Sequence, residues 1–358
     1  LTVAPIGRTK EATLFDTPTF FSTSNAGGAA PDVGHGSSRL LDARDIDALA
    51  KLPVLLSCQG GAYTQEVYPK LRSRGWSGIW IDAASALRMT PDATLVLDPV
   101  NGDEVREALR SGCRTFVGAN CTVSLMLMGL VGLLRTGHVE WISSMTYQAA
   151  SGAGAQNLRE LVAQMAAIGA GTADVLADPA RSALDVDRQV GAVLADPAFP
   201  TAAFQVPLAA SALPWIDRLV DEGQTREEWK AMAEANKILA RGDTPLPIDG
   251  ICVRVGAMRC HAQALTIKLD ADLPLDEIEG LIGEAHPWVD VVPNTPEATL
   301  ANLTPVAISG TDRVPVGRLR KMRMGRRYLA AFTVGDQLHW GAAEPLRRML
   351  VILREESR

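Results

Sequence analysis

The sequence predicts an α/β protein in two parts, a parallel α/β sheet domain followed by an α+β domain. Three observations carry this. At 358 residues the chain is long enough for about two domains. Through the first third, short β-rich runs alternate with helical stretches: TFFSTS at 19–24, LPVLLSCQGG at 52–61, GIWIDAAS at 78–85, ATLVLDPV at 93–100 and RTFVGAN at 114–120. Each run is continuously apolar and then meets small or polar residues, the pattern of buried parallel strands that end at a ligand-binding rim. After Cys121 the character changes to a long helical stretch, a segment rich in Ala and Gly, and then IDGICVRVGAMRCHAQALTIKL at 248–269, which reads as one or two strands. The amphipathic stretch GAAEPLRRMLVILREE at 341–356 predicts a closing helix that packs back on the first domain, with Pro345 in its first turn. There is no internal repeat, and the Gly-rich piece at 25–38 reads as a loop.

Composition narrows the function classes. Hydrophobic residues at 47% and charged residues at 21% are those of an ordinary globular protein. A net charge of −6 gives no electrostatic reason to expect nucleic acid or anionic lipid as a partner, although basic pockets for small anions are compatible with it. The longest apolar run, Val123 to Leu134, is too short to span a bilayer, so no membrane partner is expected. Five scattered cysteines and no secretory signal lead to the expectation of a reducing cytoplasm. Without C-x-x-C spacing or a histidine cluster, no metal site is expected.

The strongest local signal is RTFVGANCTVSLMLMGLVGLLR, where a strand runs into Asn120-Cys121-Thr122 and a helical pattern follows. A cysteine at a helix start gains thiolate character from the free backbone N–H groups and the dipole, and becomes a nucleophile; the alternative is a buried small hydrophobe. His261 is the candidate proton partner, or else a core histidine satisfied by backbone. Arg254 lies seven residues before His261, so on one unbroken strand the two would face opposite sides, unless Gly256 breaks the register. Glu227 and Lys230, three apart on one helical face, suit an ammonium and an anion, or form a surface ion pair. Arg88, after the strand ending near Asp82, is an anion contact or merely solvated. The turn SGAG at 151–154 brings backbone close to a ligand or simply turns the chain.

Taken in order, FFSTSNAGGAAP, SCQGG, DAASALRM, DPVN, FVGANCTVSLMLM, TYQAASGAG, EEWK, CVRVGAMRCH and VGDQLHWGAAEPLRRML closely resemble aspartate-β-semialdehyde dehydrogenase of the Gram-negative bacterial type, from about Thr19 to the C-terminus. The resemblance implies a Rossmann-like domain for dinucleotide over 1–120 and 341–358, and a catalytic and dimerisation domain over 121–340. It implies NADP-dependent reductive dephosphorylation of β-aspartyl phosphate to aspartate semialdehyde, on the way to lysine (through diaminopimelate), methionine and threonine. Carried over by motif, Cys121 attacks the acyl phosphate and leaves a thioacyl enzyme, His261 acts as acid/base and Gln148 orients the substrate. Arg254 pairs with the substrate carboxylate, Glu227 with its ammonium, and Arg88, Lys230 and Asn120 with its phosphate. Ser22, Thr23 and Ser24 resemble the contact to the adenosine 2′-phosphate, and Gln59, Gly60, Ser151, Gly152 and Gln337 resemble further NADP contacts. A homodimer is implied.

The opening segment departs from the family pattern. LTVAPIGRTKEATLFDTP has one glycine, Gly7, and no G-x-x-G-x-x-G spacing before TFFSTS. The expectation is a first βα unit that is missing or altered, with weaker NADP binding or an unstable chain. Two rival readings are a reductase of the N-acetyl-glutamyl-phosphate type, which has no α-ammonium to bind and so no use for Glu227, and a non-catalytic relative that keeps the dimerisation domain.

Overall fold

A computed structural model describes residues 18–34 and 36–357. It divides into two compact units, one running to Val131 and taking up Lys230–Leu246 and Leu338–Arg358, the other formed by Gly132–Trp229 and Pro247–Gln337.

In the first unit the apolar runs become strands: β1 (Phe21–Ser22), β2 (Leu41–Asp42), β3 (Val54–Ser57), β4 (Ile79–Asp82), β5 (Ala93–Val96) and β6 (Thr115–Gly118). β3, β4, β6 and β5 form a four-stranded sheet in that order, all parallel, while β1 and β2 pair separately, also in parallel. The register sets Ser57 beside Asp82, Asp82 beside Val117, and Val96 beside Gly118. The segments Gln59–Gly60, Ala83–Arg88 and Asn120–Cys121 therefore leave the sheet from its one carboxyl edge, the rim where open α/β sheets bind ligands. The reading of the opening segment concerns residues 1–17, which lie outside the described residues.

Strand alternation puts Trp80 and Ile81 on opposite faces. Trp80 packs with Leu55 and with Tyr63, Val67 and Leu71 of the helix Gly61–Ser73. Ile81, Val96 and Phe116 pack with Val105 and with Leu346, Met349 and Ile352 of the closing helix Glu344–Glu356. Those closing residues recur at helical spacing, and each buried aliphatic side chain contributes roughly 1.5–3 kcal/mol. Pro345 sits in the first turn, behind a π-helical turn at His339–Ala343. In the DPVN segment, Asn101 accepts from Leu97 N at 3.0 Å and donates to Leu95 O at 2.9 Å, kinking the helix Asp98–Arg110 at its start.

The second unit is built on a mixed sheet with the order β12-β13-β14-β11-β7-β10-β8, in which β9 also pairs with β7. Its strands are β7 (Val139–Gln148), β8 (Ala212–Leu213), β9 (Ile248–Asp249), β10 (Cys252–Val255), β11 (Cys260–Leu269), β12 (Val289–Val291), β13 (Val314–Met322) and β14 (Gly325–Asp336). The stretch 248–269, read as one or two strands, thus forms three. β10 runs parallel to β7 on one side and β11 antiparallel on the other, so the chain crosses from one flank of β7 to the other at residues 256–259. Lys230–Leu246, expected within the second domain, packs with the first compact unit. There Lys237 Nζ donates to Arg88 O and Thr90 O at 2.7 and 2.8 Å.

Candidate active site

In the first unit the candidate nucleophile is where the sequence puts it. Cys121 opens the helix Cys121–Leu134 and is half-buried. Asn120 is the cap: its Oδ1 accepts from Thr122 N at 3.0 Å, Val123 N at 3.2 Å and Thr122 Oγ1 at 2.7 Å. A capped helix start directs backbone dipoles at the thiol and favours its anion.

Arg88 is delivered by a tight turn after β4. The buried Asp82 carboxylate accepts from Thr64 Oγ1 at 2.6 Å, Ala84 N at 2.9 Å and Trp80 Nε1 at 3.1 Å. Burial raises its pKa, and these hydrogen bonds pull against that rise. The turn so fixed places Arg88 in the interior, not in solvent. Its Nε donates to Gly118 O at 2.8 Å, Nη2 to Ala83 O at 3.3 Å and Nη1 to Glu234 Oε1 at 3.1 Å. Lys230 is buried as well, which removes the surface-pair reading of the Glu227–Lys230 spacing.

In the second unit β7 supplies the organising register. Arg254 pairs with Gln148 across β10 and β7, and Ala262 with Tyr147 across β11 and β7, so His261 lies opposite Gln148 from the other side. Arg254, Gln148 and His261 therefore project from the same face, because directly opposed residues of neighbouring strands share a face. Crossing over β7 removes the conflict that seven-residue spacing creates on a single strand. Gln148 Nε2 lies 3.2 Å from Thr146 Oγ1 and 3.4 Å from Glu227 Oε1. Arg254 Nη1 donates to Ala149 O at 2.8 Å. The turn after β7 closes on this group: a Cβ on Gly152 would stand 2.9 Å from Arg254 Nη1 and 3.0 Å from His261 Nε2.

His261 is fully buried, and its Nδ1 accepts from Ala149 N at 2.9 Å. A neutral imidazole that accepts at Nδ1 carries its proton on Nε2, and Nε2 has no hydrogen-bond partner among the described residues. Burial, seconded by the Arg254 charge and opposed by Glu227, pushes the imidazole pKa down to about 3. The ring is thus a neutral N–H donor whose Nε2 packs so close to the backbone of Gly152 that a Cβ there would crowd it.

Two carboxylates that the sequence reading passed over organise these groups. Thr225 and Glu228 form a reciprocal cap at the start of the helix Arg226–Ile238, with Thr225 N donating to Glu228 Oε2 at 2.7 Å and Glu228 N to Thr225 Oγ1 at 3.3 Å. Glu228 Oε1 also accepts from Cys252 N at 3.2 Å, tying the start of the Glu227 helix to the strand of Arg254. The T-x-x-E spacing of TREE was the available signal. The other carboxylate is Glu234, which had no such signal.

The residues assigned to the cofactor fall into two groups. In the first unit Thr23 Oγ1 donates to Gln59 Oε1 at 3.0 Å, and Ser22 Oγ accepts from Ser24 N and Asn25 N at 3.3 and 3.0 Å. Gly60, at φ +94°, caps the helix Gly61–Ser73 without a side chain, which leaves first-turn N–H groups open to an anion. In the second unit Gln337 Nε2 donates to Ser151 Oγ at 2.8 Å, beside Gly152. Hydroxyls, an amide and a bare helix start are groups that can hold a dinucleotide. Among the described residues, no group of three or more His, Cys, Asp or Glu side chains could hold a metal ion, and no helix is long and apolar enough to cross a membrane.

Residues 9–108 match the semialdehyde dehydrogenase NAD binding domain, and residues 130–340 match the semialdehyde dehydrogenase dimerisation domain. Aspartate semialdehyde dehydrogenase from Francisella tularensis shares 45% identity over 96% of this chain and 94% of its own, with a TM-score of 0.90. The chain belongs to the aspartate-semialdehyde dehydrogenase family. Two more distant dehydrogenases share its fold. They are aspartate semialdehyde dehydrogenase II from Vibrio cholerae complexed with ASA (22% identity, 99% and 95% coverage, TM-score 0.77) and the Candida albicans enzyme with NADP (13% identity, 98% and 94% coverage, TM-score 0.64). The dehydrogenase thus pairs a dinucleotide-binding domain with a dimerisation domain, and the parallel sheet and the mixed sheet are the cores of these two parts.

Proposed function

We propose that the enzyme carries out its reaction with NADP, through an acyl intermediate on Cys121, as a homodimer. The activity is that of its family: it interconverts aspartyl phosphate and aspartate semialdehyde. What supports the mechanism is the half-buried thiol at a capped helix start, directly after Asn120.

In the reductive direction the Cys121 thiolate attacks the acyl carbon of aspartyl phosphate. The C–S bond forms, the C–O bond to phosphate breaks, and inorganic phosphate leaves with the electron pair. Acyl phosphates have good leaving groups, so the residues mainly bind and orient. Arg88, Lys230 and the Asn120 amide receive the phosphate, Arg254 the α-carboxylate and Glu227 the α-ammonium. A buried carboxylate at Glu227 suits a free ammonium and disfavours an N-acetylated substrate, which separates this reading from the N-acetyl-glutamyl-phosphate type.

Gln148 orients the substrate carbonyl. His261 takes the acid part of the acid/base role, because its Nε2–H can donate to the oxygen that gains negative charge, while its Nδ1 is held by Ala149 N–H. When bound, the nicotinamide supplies the hydride that converts the thioester to the aldehyde, or accepts it in reverse. Ser22, Thr23, Ser24, Gln59 and Gly60 would hold the adenosine end, and Ser151 and Gly152, on the turn beside His261, would make further contacts together with Gln337, which follows β14 and donates to Ser151.

The test is phosphate-dependent NADP reduction with aspartate semialdehyde, run on the enzyme and on Cys121→Ser, with mass spectrometry of the acid-quenched protein. The expected result is loss of activity by a factor of about 10³ or more and an aspartyl adduct on Cys121 of the parent alone. Full turnover by Cys121→Ser would remove the thioester from the mechanism. Activity in neither protein would favour the non-catalytic relative.

A further inference from the structure

We infer that Glu234 and Lys237 are positioning residues of the phosphate subsite, holding Arg88 and the residue before the nucleophile in their working geometry. The inference rests on the reading of Arg88 as a phosphate ligand. Lys230, Glu234 and Lys237 recur at i, i+4 and i+7 along the helix Arg226–Ile238 and so share one stripe. In sequence this is an ordinary charged helix face, yet Glu234 is only 1% exposed.

Its carboxylate divides between two partners. Oε1 takes Arg88 Nη1 at 3.1 Å, and Oε2 takes the backbone N–H of Asn120 at 2.7 Å. One turn on, Lys237 Nζ reaches the carbonyls of Arg88 and Thr90 at 2.7 and 2.8 Å. The arginine is therefore fixed at both ends, its guanidinium by Glu234 and its backbone by Lys237. With Gly118 O on Nε and Ala83 O on Nη2, three of the five guanidinium N–H groups are committed and the plane is set. Among the described residues, one N–H on each Nη has no further acceptor and is available to an anion.

A buried ion pair adds little net stability, because desolvation offsets the attraction. What this one supplies is orientation, since the same carboxylate ties the phosphate ligand to the amide immediately before Cys121. Coulombic reasoning alone gives the opposite expectation: a carboxylate beside the subsite repels a phosphate dianion, so its neutralisation would tighten phosphate binding. The two roles therefore differ in sign.

The experiment measures KM for inorganic phosphate and for aspartate semialdehyde, and the phosphate concentration that half-protects Cys121 from alkylation by iodoacetamide. The proteins are the parent, Glu234→Gln, Lys237→Met and Arg88→Lys. Glutamine keeps the size but offers one acceptor for two N–H partners. Expected are a rise of about tenfold or more in phosphate KM for Glu234→Gln and about threefold for Lys237→Met. Half-protection should shift in parallel, with the semialdehyde KM within about twofold of the parent. If Glu234→Gln does not fold, Lys237→Met and Glu234→Asp carry the test, the latter expected between parent and glutamine values. A phosphate KM that is unchanged or lowered in the folded variants, while Arg88→Lys raises it, overturns the inference and leaves Arg88 in place. An unchanged phosphate KM in Arg88→Lys overturns both.

Discussion

Replacing Gly152 by alanine probes the second-unit group with one methyl. The added Cβ would stand 2.9 Å from Arg254 Nη1 and 3.0 Å from both Cε1 and Nε2 of His261. Ordinary carbon contacts lie at roughly 3.5–4.0 Å, so one side must yield by about half an ångström. Neither yields freely, for both side chains are anchored to Ala149: Arg254 through the carbonyl and His261 through the N–H. Displacements of this size in positioned groups cost on the order of 10- to 100-fold in kcat/KM, or about 1.4–2.7 kcal/mol. The backbone at 152 lies outside the left-handed region, so alanine is conformationally acceptable there, and the unfolded chain loses some freedom. Expected, therefore, is a protein that melts at or near the parent temperature but has a raised semialdehyde KM and a lowered kcat. Phosphate KM should be unchanged. The assay is steady-state phosphate-dependent NADP reduction alongside differential scanning fluorimetry. A kcat/KM within twofold of the parent would refute the claim that the lack of a side chain at 152 serves the histidine and arginine.

Two further outcomes follow from buried groups. His261 has its pKa pushed down to about 3, against about 6.5 in the unfolded chain. As pH falls from 6.5 toward 3 the unfolded state takes up a proton that the native state refuses, so stability is full above this window and declines through it. The melting temperature of the parent should therefore drop more steeply between pH 7 and pH 4 than that of His261→Asn, and parallel profiles would contradict the neutral ring. Gln164, on the helix Ala155–Gly171, accepts from Leu208 N and Ala209 N at 2.8 Å and donates to Pro200 O at 2.8 Å. Gln164→Ala leaves those buried groups unmatched and should lower unfolding free energy by about 2–4 kcal/mol, read as a fall in the urea midpoint, while a change under about 0.5 kcal/mol would show that water replaces the side chain.

What the sequence disclosed was local in origin. Buried parallel strands are continuously apolar, so β3 to β6 stand out with their ends, and the rim they define carries Gln59, Arg88 and Cys121. The start of the Cys121 helix is equally visible, because Asn before a long apolar helical run is a cap by its own chemistry. β7, β13 and β14 were less visible. The burial of β7 alternates imperfectly, and β13 and β14 place arginines and a lysine on RLRKMRMGRRY. Such strands owe their place to partners far along the chain, and strand preference is largely a matter of what lies alongside. The crossing at 256–259 illustrates this: Gly256 hinted at a broken register, but only the insertion of β7 between β10 and β11 puts Arg254 and His261 on one face.

The helix Arg226–Ile238 shows where local reading stops. Its glutamates and lysines have the spacing of a solvated face, and spacing cannot distinguish charges that pair with water from charges that pair with a buried arginine. Burial decides that, and the burial of Glu234 depends on Arg88, 146 residues earlier, being turned inward by Asp82 and Gly118. A charged residue in such a place has no cheap alternative, because stripping either partner leaves an unpaired ion in the interior. Each unit thus carries its own buried carboxylate beside its candidate residues. The candidate groups can be found by motif, whereas the carboxylates beside them, Glu228 in the second unit and Glu234 in the first, emerge only when each backbone N–H of the capped turns is traced to its acceptor.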